Sequence, residues 1–199
     1  MQAESTRVDR SKIAKELGYQ AFFERAESTL SFYLHASLRR LFQELGQLKN
    51  QLYLDQTELL STLILGLVDR KQSAAEILTV GDGLVVGNGQ FYEYEQDDRP
   101  DYLGYHLAED FPAWYEKQTQ RLRLSNLFDL SIATDGVFSF RHFDARNWPS
   151  FSEADTLQYL LTDQQWRDHP QMIKKKVLHL KETYGLHPGD DLTLIRIVF

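Results

Sequence analysis

The run Phe128 to Phe138, FDLSIATDGVF, decides how this sequence is read. Leu130, Ile132 and Ala133 form a short apolar run rich enough to bury a strand, and Thr134-Asp135-Gly136 then forces a turn. A carboxylate at that point stands at the end of a rigid element and points out of the sheet. Hard cations such as Mg²⁺ take oxygen ligands of this kind and keep several of their waters. The same layout closes the chain, where Gly189-Asp190-Asp191 leads into LTLIRIVF, Leu192 to Phe199. A third Gly-Asp pair, Gly81-Asp82, ends the apolar run from Glu76 to Val80.

Around these stretches the composition limits the function classes. A 199-residue chain that is 42% hydrophobic can bury one sizeable core. Its net charge of −7 argues against a nucleic-acid partner or an anionic membrane surface. The absence of Cys removes disulfides, thiolate metal sites and thiol nucleophiles together. No apolar run reaches the ~20 residues of a membrane helix. Met1 to Arg10 is polar and mixed in charge, unlike a signal peptide. It is expected to be frayed or disordered, with the folded domain over 11–199, and a cytoplasmic location fits.

Along the chain, helical spacing begins at Ser11 with Ile13, Leu17, Ala21 and Phe22, and a second helix is predicted over about Ser28 to Leu52. His35, Arg39 and Arg40 read as its solvated face. Ser61 to Asp69 reads as a strand buried on both faces, with Gly66 marking close approach by another backbone. Gly87-Asn88-Gly89 is a hairpin turn, because Asn-Gly accepts positive φ. Glu95 to Asp101 is an acidic loop without the spacing of an EF-hand. Tyr102 to Asn126 is the hardest segment: a helix is expected near Pro112, and Arg121 and Arg123 look like surface charges. Ser152 caps a helix to about Leu161, and Gly185 stops another that runs from about Gln171 to Tyr184. Lys174-Lys175-Lys176 is a solvated face with one stem over the core. The last strand, alternating around Arg196, is expected to be buried or near-central.

Four stretches, in order, resemble the later motifs of the metal-dependent protein phosphatase 2C family: Ser61-Thr62-Leu63-Ile64, Thr79-Val80-Gly81-Asp82, Ala133-Thr134-Asp135-Gly136 and Asp190-Asp191-Leu192-Thr193. The resemblance covers about Leu59 to Phe199. It implies an α+β fold, a layered α-β-β-α sandwich of antiparallel sheets flanked by helices. It also implies hydrolysis of phosphoserine and phosphothreonine at a binuclear Mg²⁺ or Mn²⁺ site, with a phosphoprotein as substrate. Asp135 and Asp190 are then metal ligands, and Glu58, with Asp55 nearby, is a possible ligand for an additional ion. Gly81, Asp82 and Gly136 are structural turn residues near the site, Asp82 bonding turn backbone rather than metal. His187 before Pro188 reads as a turn residue rather than a proton donor.

One departure stands out. The family's early Asp-Gly-x-Gly metal motif is missing, and with it a bridging Asp, a phosphate-binding Arg and strands of the sandwich. The expectation is therefore an incomplete domain with unpaired sheet edges, needing another chain or segment to supply the missing N-terminal strands, and with weak or absent turnover by itself. Two other readings compete: a catalytically inactive binding or regulatory module, and an unrelated fold in which the Asp-Gly pairs are only turns. The last would place Asp135 and Asp190 far apart.

Overall fold

Helix α1, Thr29–Leu52, opens the part of the chain that the computed structural model describes, residues 29–96 and 101–199. The stretches expected to be frayed at 1–10 and helical from Ser11, and the middle of the acidic loop, lie outside it. Leu34, Leu38 and Phe42 recur at helical spacing and are buried, so α1 lays one stripe on its neighbours. That stripe packs on Leu78 and Val80 and against Leu63, Leu65 and Leu67.

Those neighbours belong to a three-stranded antiparallel sheet, ordered β1-β2-β5: β1 is Leu63–Asp69, β2 Ala74–Val80 and β5 Arg121–Leu124. Period-two alternation sends Ile64, Ala75 and Ile77 to the opposite face, where they meet Val85, Leu130, Ile132 and Ile197. The second sheet is also antiparallel and runs β4-β3-β6-β9: β3 Gly83–Gly87, β4 Gln90–Tyr94, β6 Asp129–Ala133 and β9 Leu194–Val198. Its far face carries Leu84, Val86 and Ala133 against Leu160, Leu161 and Leu180. These come from α3, Glu153–Leu161, and α4, Met172–Tyr184. The packing order is thus helix, sheet, sheet, helices. A short helix α2, Phe111–Glu116, flanks α1, and the two-residue strands β7, Arg141–His142, and β8, Leu186–His187, pair beside α4.

Local chemistry sets the boundaries. Asn88 and Gly89 both adopt positive φ, +51° and +81°, closing the β3–β4 hairpin as the Asn-Gly pair requires. Ser152 accepts the Asp155 N–H at 3.1 Å and caps α3. Gly185, at φ +67°, ends α4 in the left-handed conformation.

Several expectations are corrected. The final strand β9 is not central: among the described residues it pairs only with β6 and forms an edge. Apolar residues on both of its faces mimic a central strand. β1 is likewise an edge, half-buried throughout, and the approach at Gly66 comes from the Ile132 and Ile77 side chains, not from backbone. His35 lies in the core, 2% exposed, with its ring against Tyr115 and Phe111. Arg123 pairs with the buried Glu76 at 3.2 Å, and Arg121 stacks on the Tyr115 ring, so both serve the fold.

Candidate functional site

At the end of β6 the chain turns through a single 3-10 turn, Asp135–Phe138. Asp135 is exposed at its start, while Gly136 and Val137 are buried behind it. The opposing segment, Gly189 to Thr193, runs into β9. The two are stitched together by polar groups of Thr134 and Ser139. Thr134 donates its N–H to the Thr193 carbonyl at 3.0 Å, and the Thr193 N–H donates to Thr134 Oγ1 at 3.0 Å. Ser139 Oγ accepts from the N–H groups of Gly189 and Asp190 at 3.0 and 3.1 Å and donates to the Gly136 carbonyl at 2.6 Å. A methyl group on Gly136 would collide with the Asp191 carbonyl, so glycine is required there for close approach rather than for positive φ.

This stitching sets the turn that carries Asp135 beside the segment that carries Asp190 and Asp191, and all three residues are exposed. Asp190 Oδ1 accepts the Asp191 N–H at 2.8 Å, which orients that carboxylate. Asp135 and Asp190 are therefore not on opposite sides of the molecule. Among the described residues, no group of three or more His, Asp or Glu side chains is arranged to hold a metal ion.

The remaining predicted site residues fall as follows. Glu58 sits in a 3-10 turn, Gln56–Leu59, where its carboxylate accepts the Asp55 N–H at 2.7 Å; its geometry is that of a cap. Gly81, at φ +92°, lets the chain cross from β2 to β3, and a side chain there would meet Thr62 Cγ2 at 2.8 Å. Asp82 is half-buried in the same crossing. Ser61 Oγ donates to the neighbouring Thr62 carbonyl at 3.1 Å. His187 belongs to β8, with its ring edge-on to Phe143.

Three buried charged groups at the C-terminal end of α3 were not evident from residue pattern alone. Arg196 and Asp129, with side chains 0% and 6% exposed, form an ion pair across β6 and β9. Arg196 also donates to the carbonyls of Asp163 at 2.7 Å and Thr162 at 2.8 Å. Lys176, also 0% exposed, donates to the Tyr159 carbonyl, and to Asp163 through its carbonyl at 2.7 Å and its carboxylate at 3.0 Å. Burial pulls the Lys176 ammonium below the usual lysine range, and Asp163 partly offsets it. Together with Ser131 Oγ on the Leu161 carbonyl, these groups satisfy the open C-terminal end of α3.

A second ionisable cluster lies away from the Asp135 turn. His106 Nε2 contacts Asp101 at 2.6 Å and Nδ1 contacts Glu109 at 2.5 Å. Burial alone would lower its pKa, but the two carboxylates overcome this and raise it.

No curated protein matches this sequence. Two solved structures resemble the chain: a C. elegans sex-determining protein, 14% identical with a TM-score of 0.46, and the SiaA-PP2C domain of Pseudomonas aeruginosa, 15% identical with a TM-score of 0.42. The first alignment covers 94% of this chain and 52% of that one; the second covers 95% and 65%. The chain therefore spans between half and two thirds of their lengths. The sequence profile described as Protein phosphatase 2C matches residues 9–175, which extends the likeness well upstream of Leu59. The chain belongs to the protein phosphatase 2C family.

Proposed function

We propose that the chain carries the C-terminal share of a site for metal-dependent hydrolysis of phosphoserine and phosphothreonine in proteins. In this reading Asp135 and Asp190 hold Mg²⁺ or Mn²⁺. The observation that supports it is the stitching of their two turns by Thr134 and Ser139, which holds the backbones that carry them side by side. Two exposed carboxylates suit a hydrated hard ion, which one or two such ligands ordinarily hold beside several waters. When bound, such an ion supplies positive charge for phosphoryl oxygens and acidifies water.

The chain's own residues do the positioning. Ser139 fixes the backbone of Asp190, Gly136 lets the two turns touch, and Asp191 orients the Asp190 carboxylate. Glu58 as an additional ligand would have to leave its cap on Asp55. The family resemblance assigns a bridging Asp and a phosphate-binding Arg to an upstream segment, so turnover by this stretch alone is expected to be weak or absent. The finer architecture, a layered sandwich completed by further N-terminal strands, belongs to the same reading, as do a phosphoprotein substrate and a cytoplasmic location for the chain. Among the described residues no helix is long and apolar enough to cross a membrane.

The test is calorimetric titration of Mn²⁺ beside Mn²⁺-dependent phosphate release from a phosphothreonine peptide. Expected are weak binding, abolished by Asp135→Asn and by Asp190→Asn, and release close to background. Unaltered Mn²⁺ binding in both variants would remove these residues from the site. No binding to the parent chain would favour the alternative of a catalytically inactive binding or regulatory module. Robust release abolished by Asp135→Asn would show that this stretch needs no upstream ligand.

A further inference from the structure

A cavity of about 340 Å³ opens where the segment 101–109 meets the end of α2. The segment lines it with Asp101, His106 and Glu109, and the end of α2 lines it with Trp114, Lys117 and Gln118. A space of this order suits a small molecule. None of these residues belongs to the turns of Asp135 and Asp190 or to the outer strands β1 and β9. The cavity therefore draws on neither the proposed metal site nor the edges that further strands would join.

The hydrogen bonds already made show which groups are left for a ligand. His106 spends both ring nitrogens, Nε2 on Asp101 at 2.6 Å and Nδ1 on Glu109 at 2.5 Å. Each carboxylate keeps its second oxygen, which no described residue bonds. Gln120, on the same wall, is saturated. Its amide nitrogen donates to the Thr79 and Gly81 carbonyls at 3.1 and 3.2 Å, and its oxygen accepts from Gln96 at 3.0 Å. Trp114 is not saturated. It is 1% exposed, yet its indole N–H has no acceptor, a rare and costly state for a buried donor. Lys117, three residues on and exposed, forms no ion pair with a described residue.

The cavity thus offers two open carboxylate oxygens and two open donors. A bare cation would answer the carboxylates but leave the indole N–H unbonded and meet the Lys117 ammonium. An anion would answer the donors but face Asp101 and Glu109. A molecule with an ammonium and a carboxylate on one carbon answers all four groups. We propose that this cavity binds a free α-amino acid, its ammonium on Asp101 and Glu109 and its carboxylate on the Trp114 N–H and Lys117. His106 is then a positioning residue, tying the two acids together while touching no ligand atom.

The experiment is calorimetric titration of the full chain with each common L-amino acid in turn. No metal is added, so the outcome is separate from the phosphatase reading. At least one amino acid is expected to bind with a dissociation constant below about 1 mM, as a few charge-assisted bonds allow. Its decarboxylated amine and its N-acetyl form should each bind about tenfold more weakly, since each lacks one charge. Trp114→Phe keeps a ring and removes the N–H, and should weaken binding about tenfold. Lys117→Ala and Glu109→Gln, both at exposed positions, should each weaken it about fivefold and keep the test open if Trp114→Phe does not fold. Absence of binding by every amino acid at about 10 mM would overturn the proposal. So would unaltered affinity in Lys117→Ala and Glu109→Gln, or equal binding of the N-acetyl form.

Discussion

Asp129 neutralises Arg196 where almost no water reaches, and that pairing makes the site's scaffold sensitive to single charges. Removing one partner of a buried pair leaves the other uncompensated and costs about 3–5 kcal/mol. Asp129→Asn is therefore expected to lower stability by roughly that amount, read as a shift in the urea midpoint. The sequence concealed this pair, because an arginine inside an alternating strand looks the same whether it faces solvent or a helix end. His35 was hidden in the same way, as a polar residue beside an apolar stripe. Burial first, then the nearby Arg39 and Arg121, lower its pKa from 6.5 to about 4. Between those values the unfolded chain binds the proton and the folded chain does not. Stability from this group is thus complete above pH 6.5 and falls as pH drops toward 4. At about 1.4 kcal/mol per unit, roughly 3 kcal/mol is lost, and thermal melts from pH 7 to 4 should show it, with a shallower slope in His35→Gln. His106 has the opposite sign: its raised pKa gives stability at low pH that is lost as pH rises through the folded value.

Elements were legible where local chemistry alone sets their ends. Asn88-Gly89, Ser152 and Gly185 each announce a turn, a start or a stop through φ or a side-chain oxygen, and the elements lie within a residue or two of those marks. Replacing Ser152 by Ala should cost about 1 kcal/mol by chemical denaturation, the usual worth of such a cap. β5 was missed because Arg121-Leu122-Arg123-Leu124 is too short for its alternation to speak, and only pairing with β2 makes it a strand. The Asp135 turn was legible in its residue types, since Asp-Gly after an apolar run names both turn and carboxylate. The stitching was not, because Thr134 and Ser139 are ordinary turn residues until Gly189 to Thr193 arrives beside them. Gly136→Ala pushes those two segments apart. It is expected to destabilise by about 1–3 kcal/mol, as overpacking does, and to weaken Mn²⁺ binding, both checked on one sample by melting and titration.

At the scale of the whole molecule the layer order follows from two alternations, one in each sheet, that share the space between them. What sequence cannot supply is which strand ends up outermost, since neighbours in a sheet come from distant parts of the chain. Ile195→Lys places a charge on the open flank of β9 and is expected to lower aggregation by light scattering, with stability changed by no more than about 0.5 kcal/mol. The cations that close α3 have a further consequence for how the molecule folds. The helix ends at Leu161, yet its Tyr159 carbonyl waits for Lys176 and its Leu160 carbonyl for Arg196. Its negative pole is therefore quenched only after distant parts of the chain have docked, so residues 153–163 are expected to gain protection late in refolding and to be cut by protease more readily in Arg196→Met than in the parent chain.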